Sequence, residues 1–129
     1  MSSSAGEADQ RQRPAILLVE DELVLALELE SAVEAAGFAV LGPAATMENA
    51  AALLAAGLPA AALLDVNLEG RSIDPFARRL RALGVPFALH TAYTAAHVTT
   101  PLLRAAPLLP KPLERAALRR VLDTLLRGG

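Results

Sequence analysis

Three carboxylates, one hydroxyl and the chain's only lysine each stand at the end of an apolar run of the sequence. They are Glu20 and Asp21 after AILLV, Asp65 after AAALL, Thr91 after PFALH, and Lys111 after PLLP. Carboxylates repel one another, so three at one place are tolerable mainly when a hard cation lies between them. Oxygen ligands, without cysteine or clustered histidine, favour Mg²⁺ over zinc. These residue types therefore indicate a magnesium site beside an ammonium group.

The apolar runs are predicted to be the strands of a parallel sheet. AILLV and AAALL are continuous, without polar alternation, which is typical of strands buried on both faces. The strands are predicted at Ala15–Val19, Phe38–Ala44, Ala60–Asp65, Pro86–Thr91 and Pro107–Pro110. Helices are predicted at 22–36, at 46–56 with Thr46 as N-cap, at 74–83 with Asp74 as N-cap, and at 113–126.

The segment between Tyr93 and Pro107 is predicted to hold at most a short, irregular helix, because Thr and Val are frequent there and Pro101 interrupts it. The resulting βαβαβαβαβα order predicts an α/β fold with right-handed crossovers and helices on both faces of the sheet. In such open sheets, ligands bind outside the carboxyl ends of the strands. The acids, Thr91 and Lys111 should therefore meet at one edge.

Composition limits the class of protein. A chain of 129 residues that is 53% hydrophobic suits one compact domain, and its net charge of -2 gives no electrostatic reason to expect nucleic acid or membrane as a partner. The absence of cysteine excludes disulfides and thiolate metal sites. The N-terminus has no apolar signal segment, so a cytoplasmic location is expected. Residues 1–13 are predicted to be a disordered tail and residues 14–127 the domain.

Four motifs, in order and each at the end of a strand, resemble one family. LLVEDE, LLDVNLEG, HTAY and LPKPL are similar to the receiver domain of two-component response regulators, over about residues 14–127. The resemblance implies the flavodoxin-like (βα)5 fold, a five-stranded parallel sheet with strand order 2-1-3-4-5. It also implies a signalling domain that is not an enzyme.

The resemblance further implies that Asp65 accepts a phosphoryl group from a sensor histidine kinase or histidine phosphotransfer protein. It implies that Asp65 and Asp21 bind Mg²⁺, that Glu20 lies close by or acts through water, and that the Asn67 backbone carbonyl completes the protein ligands. The downstream partner is a protein that the sequence does not name, and a homodimer is compatible with this family.

Around the phosphoryl group, the resemblance implies roles for Thr91, Ala92, Tyr93 and Lys111, with Pro112 following a cis Lys-Pro bond that aims the lysine. A compact ammonium on a flexible stem can reach the carboxylate before phosphorylation and the phosphoryl oxygens after it, whereas a planar guanidinium needs a fixed bidentate approach. This difference accounts for one lysine among 12 basic residues.

Some residues depart from the family pattern. Leu108 stands where many receivers have a strand-five aromatic that reports phosphorylation. LHTAY keeps only the Thr and Tyr of a Phe-Ala-Thr-Gly-Tyr strand end found in a subgroup of stand-alone receivers, and VLGPAATMENA resembles the same subgroup, which suggests its distinctive kinases. Alternation with Leu89 and Thr91 predicts that His90 points away from the site, and His97 is predicted to be exposed, so neither histidine is assigned a metal.

Two alternatives remain open beside a phosphorylated single-domain receiver. The first is a pseudo-receiver that serves only as a docking module; the set of Glu20, Asp21, Asp65, Thr91 and Lys111 argues against it. The second is a haloacid-dehalogenase-like phosphatase, because LLDVN resembles an aspartate nucleophile after an apolar strand. That family's pattern has a second aspartate two residues on and follows the first strand, whereas here Asn67 occupies that place after the third.

Overall fold

A five-stranded parallel sheet forms the centre of the molecule, in the order β2-β1-β3-β6-β7. The computed structural model describes residues 13–92 and 98–127. The strands of this sheet are β1 (Ala15–Val19), β2 (Ala39–Ala44), β3 (Ala61–Asp65), β6 (Phe87–Ala92) and β7 (Leu108–Lys111). The helices are α1 (Leu23–Ala35), α2 (Met47–Ala56), α3 (Asp74–Ala82), α4 (Pro101–Ala105) and α5 (Arg115–Leu126). Counting the sheet strands along the chain, this is the predicted 2-1-3-4-5 order, and the predicted flavodoxin-like fold is confirmed.

The core has one layer on each face of the sheet. Helices α2, α3 and α4 pack on one face, through side chains that include Leu54, Leu80 and Leu103. Helices α1 and α5 pack on the other face, through side chains that include Leu29 and Leu122. Every residue of β3 is buried, because helices cover this central strand on both faces. This burial explains why its sequence is apolar without alternation. We call these the α2–α4 face and the α1/α5 face.

Local chemistry fixes where the helices begin. Thr46 caps α2 as predicted, because its hydroxyl oxygen accepts a hydrogen bond of 2.9 Å from the amide of Asn49. Asp74, predicted as an N-cap, is instead the first residue of α3. Its carboxylate accepts hydrogen bonds from Arg78, at 2.6 Å, and from the hydroxyl of Thr100, at 2.5 Å. Because these bonds engage both carboxylate oxygens, the carboxylate is not available to the amides of its own helix. The prediction that the fourth helix is short is confirmed, since α4 has five residues.

A small antiparallel hairpin follows β3, where the sequence indicated only a turn. It consists of β4 (Asn67–Leu68) and β5 (Arg71–Ser72), joined through Glu69 and Gly70. Both linking residues have positive φ, 52° and 77°, as the tight type I′ hairpin turn requires. Glycine adopts this conformation readily, whereas Glu69 does so at some cost in strain.

The predicted disordered tail, residues 1–13, lies outside the described residues except for Arg13, and Tyr93 and His97 lie outside them as well. Among the helices of residues 13–92 and 98–127, none has both the length and the apolar character needed to cross a membrane.

Candidate functional site

Three acids meet at the carboxyl end of the sheet. Glu20 follows β1 and Asp65 ends β3, and these two strands are neighbours with Val19 in register with Leu64. One carboxylate oxygen from each of Glu20, Asp21 and Asp65 lies within 4.8 Å of the others. Glu20 and Asp65 are buried, whereas Asp21 is exposed. The geometry therefore brings together the predicted acids, two enclosed by the fold and one facing solvent.

Lys111 reaches the same cluster from β7. Its Nζ atom lies 3.4 Å from Oε1 of Glu20 and 3.8 Å from Oδ1 of Asp65. Lys111 is in register with Ala92 on β6, which separates β7 from β3 in the sheet, so the side chain extends past one strand to reach the acids. The peptide bond to Pro112 is cis. The ammonium thus contacts two carboxylates at once.

Backbone amides hold each carboxylate in place. The amide of Glu22 donates to Oε2 of Glu20 at 3.2 Å, and the amide of Asn67 lies 3.4 Å from Oδ1 of Asp65. The hairpin supplies the third contact, in which the amide of Glu69 donates to Oδ2 of Asp21 at 3.0 Å. Because the β4–β5 turn lies over the cluster, its backbone orients the acid that is most exposed.

Electrostatics separate the two buried acids. Burial raises the pKa of Asp65 to about 7, the negative charge of Glu20 adds to the rise, and Lys111 opposes it. Burial also acts upward on the pKa of Glu20, but the contacts with His90, the Glu22 amide and Lys111 outweigh it and lower that pKa. Of this acidic pair, Asp65 is therefore the member that takes up a proton as the pH falls through about 7, while Glu20 stays ionised.

Other residues predicted for the site lie around the cluster. Thr91 is buried at the end of β6, where its hydroxyl donates to the carbonyl of Ala92 at 2.9 Å, and Ala92 is exposed. The predicted role of Tyr93 falls outside the described residues. Leu108, in place of the expected aromatic, is 47% exposed on β7.

The prediction that His90 points away from the site is wrong. His90 is 1% exposed, and its Nδ1 atom lies 3.5 Å from Oε1 of Glu20. Strand alternation places His90 and Thr91 on opposite faces of β6, and the prediction holds only if the site lies on the face of Thr91. Glu20, however, turns its side chain toward the α1/α5 face, the face on which His90 stands. The buried polarity of His90 in an otherwise apolar strand was the sequence feature that could have indicated this contact.

The donor set suits Mg²⁺. One oxygen from each of three carboxylates lies within 4.8 Å of the others, and two of these acids are buried, so a hard divalent cation would offset the burial and the repulsion that raise the pKa of Asp65. Oxygen is the ligand atom that Mg²⁺ prefers, and no cysteine is present to favour a softer metal. Mg²⁺ therefore fits the side chains found here.

Comparisons with known proteins give one group of relatives. No family model matches the chain. It is 32% identical, over 114 residues, to the phyllosphere-induced regulator PhyR of Methylorubrum extorquens, covering 86% of this chain and 43% of that protein. The chain thus spans less than half the length of this curated relative.

Two solved structures are similar over nearly their whole length. The response regulator receiver domain of PhyR from Erythrobacter litoralis is 30% identical, with a TM-score of 0.77 and coverage of 89% of this chain and 91% of that one. SdrG from Sphingomonas melonis is 33% identical, with a TM-score of 0.77 and coverage of 88% and 97%. Two of these relatives are named as regulators, so the phosphatase alternative is not supported and the prediction of a non-enzymatic domain is confirmed. From its sheet order and its relatives, the chain belongs to the receiver domain family of response regulators.

Proposed function

We propose that Asp65 accepts a phosphoryl group from a sensor histidine kinase or histidine phosphotransfer protein, and that the domain then signals through protein contacts. One observation carries this proposal: three acid oxygens lie within 4.8 Å of one another, with the only lysine of the chain in contact with two of those acids. A pure docking module has no need to gather buried charges of one sign at a cost in stability.

In this proposal Asp65 is the acceptor because it ends the central strand and its carboxylate lies near both the other acids and Lys111. An oxygen of Asp65 forms the bond to phosphorus as the bond from phosphorus to the donor's imidazole nitrogen breaks. Mg²⁺, held by Glu20, Asp21, Asp65 and the Asn67 carbonyl, would cancel charge on the transferring oxygens. Asp65 must be deprotonated to attack, and its pKa of about 7 makes that state accessible near neutral pH.

In the proposal, three groups would respond to the new charge. The hydroxyl of Thr91 donates to the Ala92 carbonyl at 2.9 Å, and rotation about its side-chain bond would let it donate to a phosphoryl oxygen instead. The exposed Ala92, with Tyr93 after it, offers backbone groups at the same strand end. Lys111 can turn from Glu20 and Asp65 toward the phosphoryl oxygens, which carry more negative charge than a carboxylate.

The partners proposed are therefore a kinase or phosphotransfer protein and a downstream protein, with neither nucleic acid nor membrane, in the cytoplasm. A net charge of -2 gives no electrostatic attraction to polyanions. The similarity to PhyR supports a regulatory role for this chain. Because the chain spans only 43% of PhyR, the activity of the whole of that protein is not part of the proposal.

The test is to incubate the protein with a small acyl phosphate or phosphoramidate and Mg²⁺ and to measure its intact mass. We expect one labile phosphoryl adduct, which disappears in Asp65→Asn and persists in Glu69→Gln. Glu69 is a suitable control because only its backbone amide contacts the cluster, so the variant removes a nearby charge without a ligand. A folded wild-type protein that takes no adduct would instead support the docking module, and an adduct on Asp65→Asn would assign another acceptor.

A further inference from the structure

His90 presents a buried polar group to the acid cluster. Its side chain is 1% exposed, as is that of Glu20, and the two meet with Nδ1 3.5 Å from Oε1. Within the described part of the chain, neither of these atoms has a hydrogen-bond partner, and neither does Nε2 of the same histidine. At this length the contact is electrostatic rather than a short hydrogen bond. Burying such groups is costly unless they interact, so their juxtaposition requires an explanation.

The chemistry of Glu20 dictates what His90 must do. An ionised carboxylate only accepts hydrogen bonds, so the imidazole nitrogen facing it must carry a proton to be attracted. Oε1 lies between two nitrogens, Nδ1 of His90 at 3.5 Å on the core side and Nζ of Lys111 at 3.4 Å. Lys111 is shared with Asp65, whereas His90 contacts no other described carboxylate. His90 is therefore the partner that Glu20 does not share.

We propose that His90 is a positioning residue, whose Nδ1–H holds the Glu20 carboxylate from the core side and leaves Lys111 free to follow the charge on Asp65. This inference rests on the proposed function, since it assigns a role within the same site. Without His90, a shift of Lys111 toward a phosphoryl group would leave the buried carboxylate of Glu20 with the amide of Glu22 as its only described protein contact. A buried carboxylate with so few protein contacts is poorly oriented as a metal ligand.

The first test concerns the contact alone and needs neither Mg²⁺ nor phosphorylation. Long-range ¹⁵N–¹H correlation spectra of the unmodified protein at neutral pH report which ring nitrogens of His90 carry protons. We expect Nδ1 to be protonated, and its ¹⁵N shift to change in Glu20→Gln. An unprotonated Nδ1 would overturn the proposal, because two acceptors cannot face each other favourably in a buried place.

The second test compares substitutions at His90 by their Mg²⁺ affinity in the unphosphorylated protein. His90→Leu removes the donor and keeps an apolar side chain, and we expect it to weaken Mg²⁺ binding about ten-fold or more, as loss of a group that orients a metal ligand does. His90→Asn places an N–H near the position of Nδ1 and should recover most of that affinity. Leu109→Val is the packing control, because Leu109 is buried in register with His90 and has no donor.

The outcomes separate the two proposals. Equal losses in His90→Leu, His90→Asn and Leu109→Val would show a purely structural histidine, and no loss in His90→Leu would show that Glu20 needs no such partner. If wild type binds no Mg²⁺ and accepts no phosphoryl group, the proposed function is wrong. The protonation of Nδ1 and its response to Glu20→Gln would still decide whether His90 holds Glu20.

Discussion

Lys111 lies closer to Glu20 than to Asp65, the residue we propose as its partner during phosphorylation. The Nζ atom is 3.4 Å from Oε1 of Glu20 and 3.8 Å from Oδ1 of Asp65. The Glu20 side chain is 1% exposed and that of Lys111 18%, so their attraction is only weakly screened by water. A second negative charge at Asp65 would compete for this ammonium. The division of Lys111 between two acids is therefore the property that phosphorylation can change.

Lys111→Arg should keep the positive charge but reduce the response to a phosphoryl mimic. A planar guanidinium cannot move between the two acids as a compact ammonium does, and this change of partner is worth on the order of 1 to 3 kcal/mol for a charge-assisted contact. The measurement is the change in amide NMR shifts of β6 and β7 on adding beryllofluoride and Mg²⁺. Equal shift changes in wild type and variant would mean that any cation suffices at this position.

Asp21→Asn should lose Mg²⁺ binding and phosphorylation together. Asp21 is the exposed member of the acid cluster, and an amide is a weaker ligand for Mg²⁺ than a carboxylate. Glu22→Gln is the matched control, because it removes one negative charge from the next exposed residue, whose backbone amide alone contacts the site. Calorimetric titration with Mg²⁺ checks this. If both variants weaken binding equally, Asp21 acts by general charge and not as a ligand.

Mg²⁺ affinity should fall as the pH is lowered through neutrality. Burial, reinforced by the charge of Glu20, raises the pKa of Asp65 to about 7, and only the ionised carboxylate binds the metal. Between pH 8 and pH 6 we expect a decrease of about ten-fold in affinity, the change that one proton on a group of this pKa produces. Titrations with Mg²⁺ across this range test it. Constant affinity from pH 8 to pH 6 would place the pKa of Asp65 well below 7.

Asp65→Asn should stabilise the fold at pH 8 when Mg²⁺ is withheld. The pKa of Asp65 rises from an ordinary 3.8 to about 7, so the native state binds this proton more tightly than the unfolded state. Wild-type stability is accordingly lost as the pH rises from about 4 to about 7, and the loss is complete above that. We expect the variant to gain about 1 to 3 kcal/mol in free energy of unfolding at pH 8 and little at pH 4. Urea unfolding in the presence of a chelator measures both. A gain that is independent of pH would have another origin than this carboxylate.

Thr100→Val should destabilise the protein by about 1 to 3 kcal/mol, because one hydroxyl serves two partners. It donates to the buried carboxylate of Asp74 at 2.5 Å and accepts from the amide of Leu103 at 3.3 Å, which caps α4. Thr99→Val is the control, since Thr99 is exposed and adjacent. Thermal unfolding of the two variants compares them, and similar losses would exclude a specific role for the Asp74 contact.

The sheet could be predicted because the cause of each strand is local, and the acid cluster could be predicted because parallel strands end at one edge. Runs such as Ala61–Asp65 are apolar without alternation, and this pattern has few explanations other than a strand buried on both faces. Parallel strands bring their carboxyl ends to one edge, so the meeting of Glu20, Asp21 and Asp65 follows from strand order. The prediction of the cluster therefore depends on the topology of the sheet, and small errors in the predicted ends of individual strands do not change it.

The hairpin and the direction of His90 depend on relations that no local pattern records. Strands of two residues, Asn67–Leu68 and Arg71–Ser72, are too short for periodicity, and their turn places Glu69 at a positive φ that the residue type disfavours. Strand alternation shows that His90 and Thr91 face opposite ways, but not which face Glu20 chooses after leaving β1. The contact of Glu20 with His90 joins residues of two strands that are separated by β3, so the pattern of neither strand contains it.

The two faces of β6 belong to two separate packing layers of this domain. Leu89 belongs to the core beneath α2, α3 and α4, and Ala88 belongs to the core beneath α1 and α5. By the same alternation Thr91 adjoins the first layer, while His90 adjoins the second together with Glu20. Because β3 is buried along its whole length between them, the two layers do not share a packing surface. We expect substitutions in the layer beneath α2, α3 and α4 to leave the contact between Glu20 and His90 in place, since that contact lies on the other face.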